Sequence, residues 1–342
     1  MSELMKSRGI RFCVLIVSVA AIVCECCAAA QSQPSSPDKP GAVAGQDEGA
    51  PANTAASLQK ATQNPVANLI SVPLQNNSNF GIGPYDRTQN VLNIQPVIPI
   101  GISKDWNLII RWIAPIISQP APGTANLEVY GIELDTPAYF AARDVQANAS
   151  VNGFGDMQPT FFFSPAKPHK VIWGAGPIFV LPTATSKVLG QGKFSIGPSF
   201  VALLQPGHWT VGALINNAWS VAGPSNRSDV NQMLLQYFVN YNLKKGWYIT
   251  SSPIITANWE ASSGNVWTVP FGGGVGRIMK LGFQPVNISA QFYGNAVHTK
   301  SGSPWGVRAQ IAFLFPKLPP KEKMLLMEEK LKEMQKEQSQ KK

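Results

Sequence analysis

Apolar and polar residues alternate with a period of two over most of the chain, from Val66 to Phe315. Between Trp106 and Ile116 the even positions are all apolar, and the odd positions include Arg111. Between Trp305 and Phe315 the odd positions are apolar, and the even positions include Arg308. Because successive side chains of a strand point to opposite faces, this pattern predicts strands with one apolar and one mixed face. The sequence therefore predicts an all-β fold.

The alternating segments are long. Many of them run for ten to thirteen residues, whereas strands of soluble proteins have about 5–6 residues and a tilted membrane-crossing strand needs about 9–11. This length favours a transmembrane antiparallel β-barrel over a β-sandwich, which would also alternate. About twelve strands are predicted, at residues 66–75, 89–101, 106–117, 153–164, 171–182, 193–205, 208–221, 231–243, 247–259, 266–277, 283–295 and 305–315.

Tryptophans recur at spacings that fit the two interfaces of a membrane. Trp209 and Trp219 share one parity and lie ten residues apart, which is about 33 Å along a strand and about 25 Å of height after tilting. Trp247 and Trp259 repeat the arrangement over a slightly longer span. The predicted aromatic girdle comprises Trp106, Trp209, Trp219, Trp247, Trp259 and Trp305.

Short and long connections alternate along the predicted strands. Tight connections fall at 102–105, 206–207 and 244–246, and longer ones follow odd-numbered strands, at 118–152, 183–192, 222–230 and 296–304. Outer-membrane barrels have short periplasmic turns and longer external loops, and an even strand number places both termini in the periplasm. Several prolines in or near the proposed strands predict bulges or kinks, because proline cannot donate to the ladder.

The two ends of the chain differ from the alternating part. Residues 1–30 combine a basic start, an apolar run and Ala28–Ala30, which is typical of a secretory signal peptide; a membrane anchor and a lipoprotein signal are the alternatives. Residues 31–63 are predicted to be a disordered linker, with one or two helical turns from Ala55 to Gln63. The barrel is assigned to residues 64–316. Residues 317–342 are predicted to form a charged amphipathic helix or short coiled-coil seam, which either docks on a periplasmic partner or frays.

Composition narrows the chemistry. All four cysteines lie within residues 1–30, so the predicted mature protein has neither disulfides nor thiolate sites. Only 14% of residues are charged, and the net charge of +9 is spread diffusely. No basic stripe with interleaved aromatic residues supports nucleic-acid binding. No metal-ligand spacing is present, so the sequence predicts no metal and no cofactor.

Charged and amide side chains fall on the parity opposite the apolar face. Barrel interiors are polar, whereas charges on the lipid face are costly. The predicted lumen-facing residues are Arg111, Asp156, Gln158, Arg308 and Gln310, and Asp156 is expected to pair with Arg111 on the neighbouring strand. About twelve strands enclose a narrow lumen. The sequence is therefore compatible with two functions, an open pore for small solutes and a structural or interaction barrel with a plugged lumen.

Catalysis has little support in the sequence. An outer-membrane lipid hydrolase would need a serine, a histidine and a polar orienting group on one patch. The nearest pairing is His298 with Ser301 or Ser303, in a predicted external loop, where solvated loop residues are the simpler interpretation. The glycine run Gly272–Gly276 lacks a phosphate-binding signature and is interpreted as a barrel bend or bulge. No catalytic residue is predicted.

Six runs of the chain carry a resemblance to known proteins. They are Asn64–Asn77, Leu92–Pro99, Gly155–Pro165, Asn231–Gln236, Tyr248–Glu260 and Trp267–Gly276. These runs resemble one bacterial outer-membrane family, labelled as transporters or as the MetA pathway of phenol degradation and in part mislabelled as neuromedin U, and the resemblance spans roughly residues 64 to 317. It implies a barrel through which small aromatic or hydrophobic compounds pass, and it implies no established catalytic residues.

Overall fold

The structure is a computed structural model, and it describes residues 55–83, 85–120, 150–167 and 169–316. The predicted signal peptide, the predicted linker up to residue 54 and the predicted helical tail lie outside the described residues. Within the described part, no helix is both long and apolar enough to cross a membrane.

The regular secondary structure of the described residues is β-strand, apart from one helix, α1 (Ala55–Thr62), and a short 3-10 turn (Lys244–Gly246). The strand segments are β1 (Ile70–Ile82), β2 (Arg87–Ile94), β3 (Val97–Gly101), β4 (Trp106–Pro120), β5 (Ser150–Phe154), β6 (Gln158–Pro165), β7 (Val171–Val180), β8 (Phe194–Leu204), β9 (Trp209–Ala222), β10 (Asn231–Asn242), β11 (Trp247–Ser251), β12 (Ile254–Asn258), β13 (Trp267–Leu281), β14 (Gln284–Val297) and β15 (Trp305–Phe315).

The sheet closes on itself. Strands that follow one another along the chain pair antiparallel, and β1 pairs with β15 from Ile70–Phe315 to Phe80–Trp305. Three of the strands are each made of two segments, namely β2 with β3, β5 with β6, and β11 with β12. The result is a closed antiparallel barrel of twelve strands, which confirms the predicted fold class.

The interruptions occur where the sequence cannot continue the ladder. Pro96 follows Gln95 between β2 and β3, and Pro253 follows Ser252 between β11 and β12. Proline lacks the N–H that a central strand donates, and the ladder is interrupted at these two places without a shift in register. A bulge of the kind expected at prolines is present beside Pro270, where the pairing of β13 with β14 shifts by one residue. Ser252–Pro253 turns inward, and Pro253 is fully buried.

The connections sort by length, as predicted. One end of the barrel carries the turns 102–105, 166–170, 205–208, 243–246 and 282–283, and we call it the short-turn rim. The opposite end, the long-loop rim, carries the longer connections 181–193, 223–230, 259–266 and 298–304, together with one four-residue connection at 83–86. The connection between β4 and β5 lies outside the described residues. Both ends of the described chain lie at the short-turn rim, because Ile70 pairs with Phe315.

The first strand differs from its prediction. It was expected at residues 66–75 and runs from Ile70 to Ile82. Residues 64–69 are held in a turn instead, since the Asn64 side chain accepts a hydrogen bond from the N–H of Val66 at 3.0 Å and the Asn64 carbonyl accepts one from Ala67 at 3.1 Å. Asparagine favours such turns by bonding its own backbone.

The part of the linker prediction that falls on residues 55–63 also differs. This stretch forms helix α1 and a short turn, so an ordered helix replaces the disorder, as the alternative of one or two helical turns allowed. We call residues 55–69, which comprise α1 and the following turn, the N-terminal segment.

Candidate functional site

Glycines on β13 admit side chains that cross the inner wall of the barrel. Gly276 lies opposite Tyr248 on one side and Ser289 on the other. A Cβ on Gly276 would lie 2.2 Å from the Tyr248 ring. Because that Cβ is absent, Tyr248 reaches over β13 and donates a hydrogen bond to Asn287 Oδ1 at 2.7 Å. The strand stays paired with β14 in one register through Gly272–Gly276, so of the predicted bend or bulge the bulge does not form within this run.

Arg308 of β15 is held inside the barrel by neutral acceptors. Its Nε donates to Asn77 Oδ1 at 2.9 Å and its Nη1 to the Ser252 carbonyl at 2.8 Å. Its guanidinium also lies 5.0 Å from the centre of the Tyr293 ring. Ser252 is fixed in turn by the Tyr293 hydroxyl and by Gln291 Oε1. The two ion pairs among the described residues do not involve Arg308, so it is a fixed positive charge of the interior.

Arg111 of β4 is a second interior cation. Its Nη2 donates to Gln95 Oε1 at 3.1 Å. Arg111 and Gln95 line a cavity of about 90 Å³ whose other side is formed by the N-terminal segment, including Thr62 and Asn64. The predicted pairing of Asp156 with Arg111 is wrong, because the carboxylate of Asp156 accepts backbone N–H groups from a loop instead.

Helix α1 lies inside the short-turn rim and is tied to it by glutamine side chains. Gln59 Nε2 donates to the Trp247 carbonyl at 2.9 Å. Gln63 and Asn242 exchange two amide hydrogen bonds, at 2.8 and 3.2 Å. These bonds join the helix to the turn between β10 and β11, where the Trp247 carbonyl also accepts a hydrogen bond from the N–H of Leu243 at 2.8 Å.

Apolar contacts fill the interior around the N-terminal segment. Leu58 packs against a group of inward side chains from β11, β13 and β15, namely Tyr248, Ile278, Ala312 and Leu314. Val66 inserts into a second group on the other side, formed by Ile109, Phe162, Val201, Leu203, Leu214 and Phe238. Phe162, Ile109 and Val201 have no exposed surface. The lumen is therefore closely packed around Leu58 and Val66, and the cavity of about 90 Å³ lies between the same segment and Arg111.

The loop 181–193 at the long-loop rim is hydrogen-bonded to the barrel wall. Asp156, between β5 and β6, accepts hydrogen bonds from the backbone N–H of Ala184 at 3.1 Å and of Gln191 at 2.6 Å. Asp156 itself is buried. Leu189 of the same loop is buried and lies close to Gly153 and Gly155. The loop 181–193 is thus held by a charge on the barrel wall beneath it.

The neighbouring loop 223–230 binds the loop 181–193. Arg227 donates from Nε to the Gln191 carbonyl at 2.8 Å and from its two terminal nitrogens to the carbonyls of Lys187 and Gly190. Lys193 forms a 2.6 Å ion pair with Asp229. The hydrogen bond and the charge of Lys193 lower the pKa of Asp229. The pair is therefore intact at neutral pH and is lost only as the pH falls through that lowered pKa.

We predict that Asp156→Asn loosens this loop. Asparagine keeps the size of the side chain but has one acceptor oxygen, so either Ala184 or Gln191 loses its hydrogen-bond partner. Trypsin should then cleave after the exposed Lys187 severalfold faster than in the unchanged protein. Cleavage after Lys300, in a different loop of the same rim, serves as the internal control and should stay constant. Equal acceleration at both lysines would indicate general destabilisation and contradict the assigned role.

The other predicted interior residues lie on the inner parity of their strands. Gln158 is half-buried at the start of β6, opposite Ile113. Gln310 is half-buried on β15, between Gln75 and Ser289 of the adjoining strands. The five predicted residues therefore do not form one cluster: Arg308 and Arg111 bind different partners, and Asp156 belongs to the loop at the long-loop rim.

The tryptophans of the predicted girdle lie at the two rims. Those at the short-turn rim are Trp106, Trp209 and Trp247, and those at the long-loop rim are Trp219, Trp259 and Trp305. Other aromatic side chains join them: Trp106 packs edge-on against Trp173 at 5.9 Å, and Trp305 stacks on Phe80 at 4.2 Å.

Sequence reasoning missed Ser252 and Gln59, which contact Arg308 and the turn before β11 respectively. The one signal for Ser252 is the proline that follows it. Gln59 lies in the stretch assigned to the linker, and nothing local marks it as a contact residue.

The serine–histidine pairing considered for a lipid hydrolase is not formed. His298 Nδ1 lies 2.8 Å from the Thr299 carbonyl. Ser303 Oγ donates to the carbonyls of Phe80 and Trp305. Among the described residues, no group of three or more metal-binding side chains is assembled.

Comparison with known proteins identifies solved structures that have a similar fold. Family models and curated proteins give no match. Among solved structures, an outer membrane channel from Pseudomonas putida F1 matches with a TM-score of 0.52 at 13% identity, over 72% of this chain and 94% of that one. The CymD monoaromatic hydrocarbon channel matches at 0.38 and 11%, over 78% and 92%. Outer membrane phospholipase A from Escherichia coli matches at 0.37 and 10%, over 73% and 97%.

One fold hosts unrelated functions. At such low identity the likeness concerns the fold alone. The chain therefore has the fold of bacterial outer-membrane β-barrel proteins.

Proposed function

We propose that this protein is an outer-membrane channel for the passive passage of small solutes, narrowed at the short-turn rim by its own N-terminal segment. The observation that carries the proposal is the cavity of about 90 Å³ between that segment and the wall at Gln95 and Arg111. It lies where the rest of the interior is filled by apolar side chains. A path along the segment would pass the Arg111 guanidinium.

The outer face and the two rims of the barrel support the proposed location in the outer membrane. The apolar outer face, with Ile215, Phe200 and Phe292 about half exposed, suits the hydrocarbon of a bilayer. The short-turn rim faces the periplasm in this proposal, so that both chain ends and the predicted tail lie there. The solutes we propose are small aromatic or hydrophobic molecules, and this choice rests on the family resemblance of the sequence.

A structural or interaction barrel with a plugged lumen is the second candidate. Val66 and Leu58 insert into two separate apolar groups of the wall, and this packing favours it. A plug that never moves and a cavity too small for solutes would leave the barrel without a conducting path.

Single-channel recording separates the two candidates. The refolded protein should first show the heat-modifiable gel mobility of a folded barrel. We expect discrete conductance steps in planar bilayers and a reduction of the current by small aromatic solutes. Folded protein that gives no conductance would support the plugged barrel and overturn the channel.

Arg111 is expected to set the ion preference of the path. A fixed cation without a carboxylate partner raises the local anion concentration, and salt weakens the effect. Arg111→Gln should lower the anion-to-cation permeability ratio severalfold, most clearly at low salt. Arg111→Lys keeps the charge and should keep the ratio. A ratio unaffected by Arg111→Gln would place the conducting path elsewhere. Arg308 is less suitable for this test, because its replacement also removes the bonds to Asn77 and Ser252.

A further inference from the structure

One arginine lies on the outer face of the barrel. On β13, the neighbours of Arg277 along the strand, Gly276 and Ile278, have inward parity, since Gly276 adjoins the inward Tyr248. Arg277 therefore points outward, opposite Trp247 of β11 and Ile288 of β14. Ile288 is substantially exposed on that face. A positive charge stands here among apolar side chains.

The guanidinium of Arg277 makes no hydrogen bond to the described part of the chain. It lies 5.1 Å from the centre of the Trp247 ring. Its Nε is buried and has no hydrogen-bond partner among the described residues. By contrast, the interior Arg308 and Arg111 both donate to protein oxygens. A guanidinium in apolar surroundings needs an acceptor, and its planar fork matches phosphate oxygens well.

The turns next to Arg277 are basic. The turn Lys244–Gly246 packs against β13 so closely that a Cβ on Gly246 would lie 2.2 Å from the Ile278 carbonyl oxygen. It therefore places two lysines beside the residue that follows Arg277. The exposed lysines beside Arg277 are Lys244, Lys245 and Lys280, and Lys104, Lys167 and Lys170 lie on turns at the other side of the same rim. The carboxylate described on this rim, Asp105, is paired with Lys167 at 2.8 Å.

We propose that Arg277, Trp247 and the lysines of the adjoining turns bind the phosphate group of a phospholipid. The inference rests on the proposed membrane setting, with the short-turn rim at the periplasmic leaflet. A soluble anion would not reach Arg277 well, because the residue faces the bilayer beside Ile288 and the half-exposed Ile249. A lipid brings its phosphate to this depth while its acyl chains cover the apolar strands, and Trp247 is of the residue type that lies at headgroup level. Lysines near an anionic headgroup add attraction.

The site can be tested by native mass spectrometry of the full refolded protein titrated with phosphatidylglycerol. We expect Arg277→Gln to weaken binding of the first lipid at least severalfold and Arg277→Lys to weaken it less, because lysine keeps the charge and loses the fork. Lys300→Gln removes the same charge at the long-loop rim, and this control variant should bind phosphatidylglycerol as tightly as the unchanged protein does. A second variant, Lys244→Gln with Lys245→Gln, should also weaken binding.

Two competition experiments distinguish binding of a phospholipid from binding of an uncharged lipid or a free anion. Diacylglycerol, which lacks phosphate, should not compete, and millimolar inorganic phosphate should not displace the lipid. Displacement by inorganic phosphate, or unchanged affinity in both the Arg277→Gln and the lysine variants, would overturn the proposal. Gel mobility and conductance should be unaffected by Arg277→Gln, since the residue lies outside the lumen. A failure of lipid binding is therefore distinguishable from a failure of the channel function.

Discussion

Removing residues 55–68 is expected to raise the single-channel conductance severalfold. The N-terminal segment supplies Leu58 and Val66 to the two apolar groups that fill the interior at the short-turn rim. Without these side chains the cavity beside Arg111 joins the vacated volume, and the cross-section available to ions grows. The barrel itself should persist, because β1 begins at Ile70 and its pairing with β15 does not involve the deleted residues. The measurement is planar-bilayer recording of the refolded variant.

A point-substituted variant guards against misfolding of the truncated chain. Leu58→Glu combined with Val66→Glu places two carboxylates against apolar walls, where unpaired charges are costly, and should drive the segment out of the lumen. Ala56→Glu, on an exposed position of the same helix, is the matched control and should leave the conductance unchanged. If deletion and double substitution both leave it unchanged in folded protein, the segment does not limit the passage.

Ile215→Arg is expected to destabilise the barrel by about 2–4 kcal/mol, the cost of arginine on the lipid face near the bilayer midplane. Ile215 is 43% exposed and lies near the middle of β9, where it pairs with the outward Phe200 and with Leu235. The free energy of unfolding from phospholipid vesicles, measured by denaturant titration, gives the value directly.

The control for Ile215→Arg uses the same strand and the same parity. Val221, at the long-loop end of β9, is 60% exposed, and arginine near an interface costs only about 0–1 kcal/mol. Val221→Arg should therefore be tolerated. Equal losses at the two positions would contradict a membrane centred on Ile215, and a loss confined to Val221 would reverse the assigned depth.

Local alternation predicted the barrel well where the two faces differ in polarity. On β4 and β15 the apolar parity of the sequence is the outer face of the structure. The pattern was weakest on β1 and β2, where Asn76, Ser78 and Asn90 have outward parity and bond one another. With polar residues on both faces, parity no longer fixes the start of a strand, and this explains why the first strand was predicted too early.

The strands, their approximate number, the short and long connections and the inner parity of Arg111 and Arg308 could be predicted from the sequence alone. These features depend on backbone geometry and on neighbours a few residues apart, so a local pattern records them. The contact partners became visible in the folded barrel: Asp156 binds the loop 181–193, Arg308 binds Ser252, and the N-terminal segment lies inside the lumen. Gln59 lies 188 residues from Trp247, whose carbonyl it contacts. Its position follows from closure of the barrel, which brings distant turns around one opening, and no local pattern records that distance.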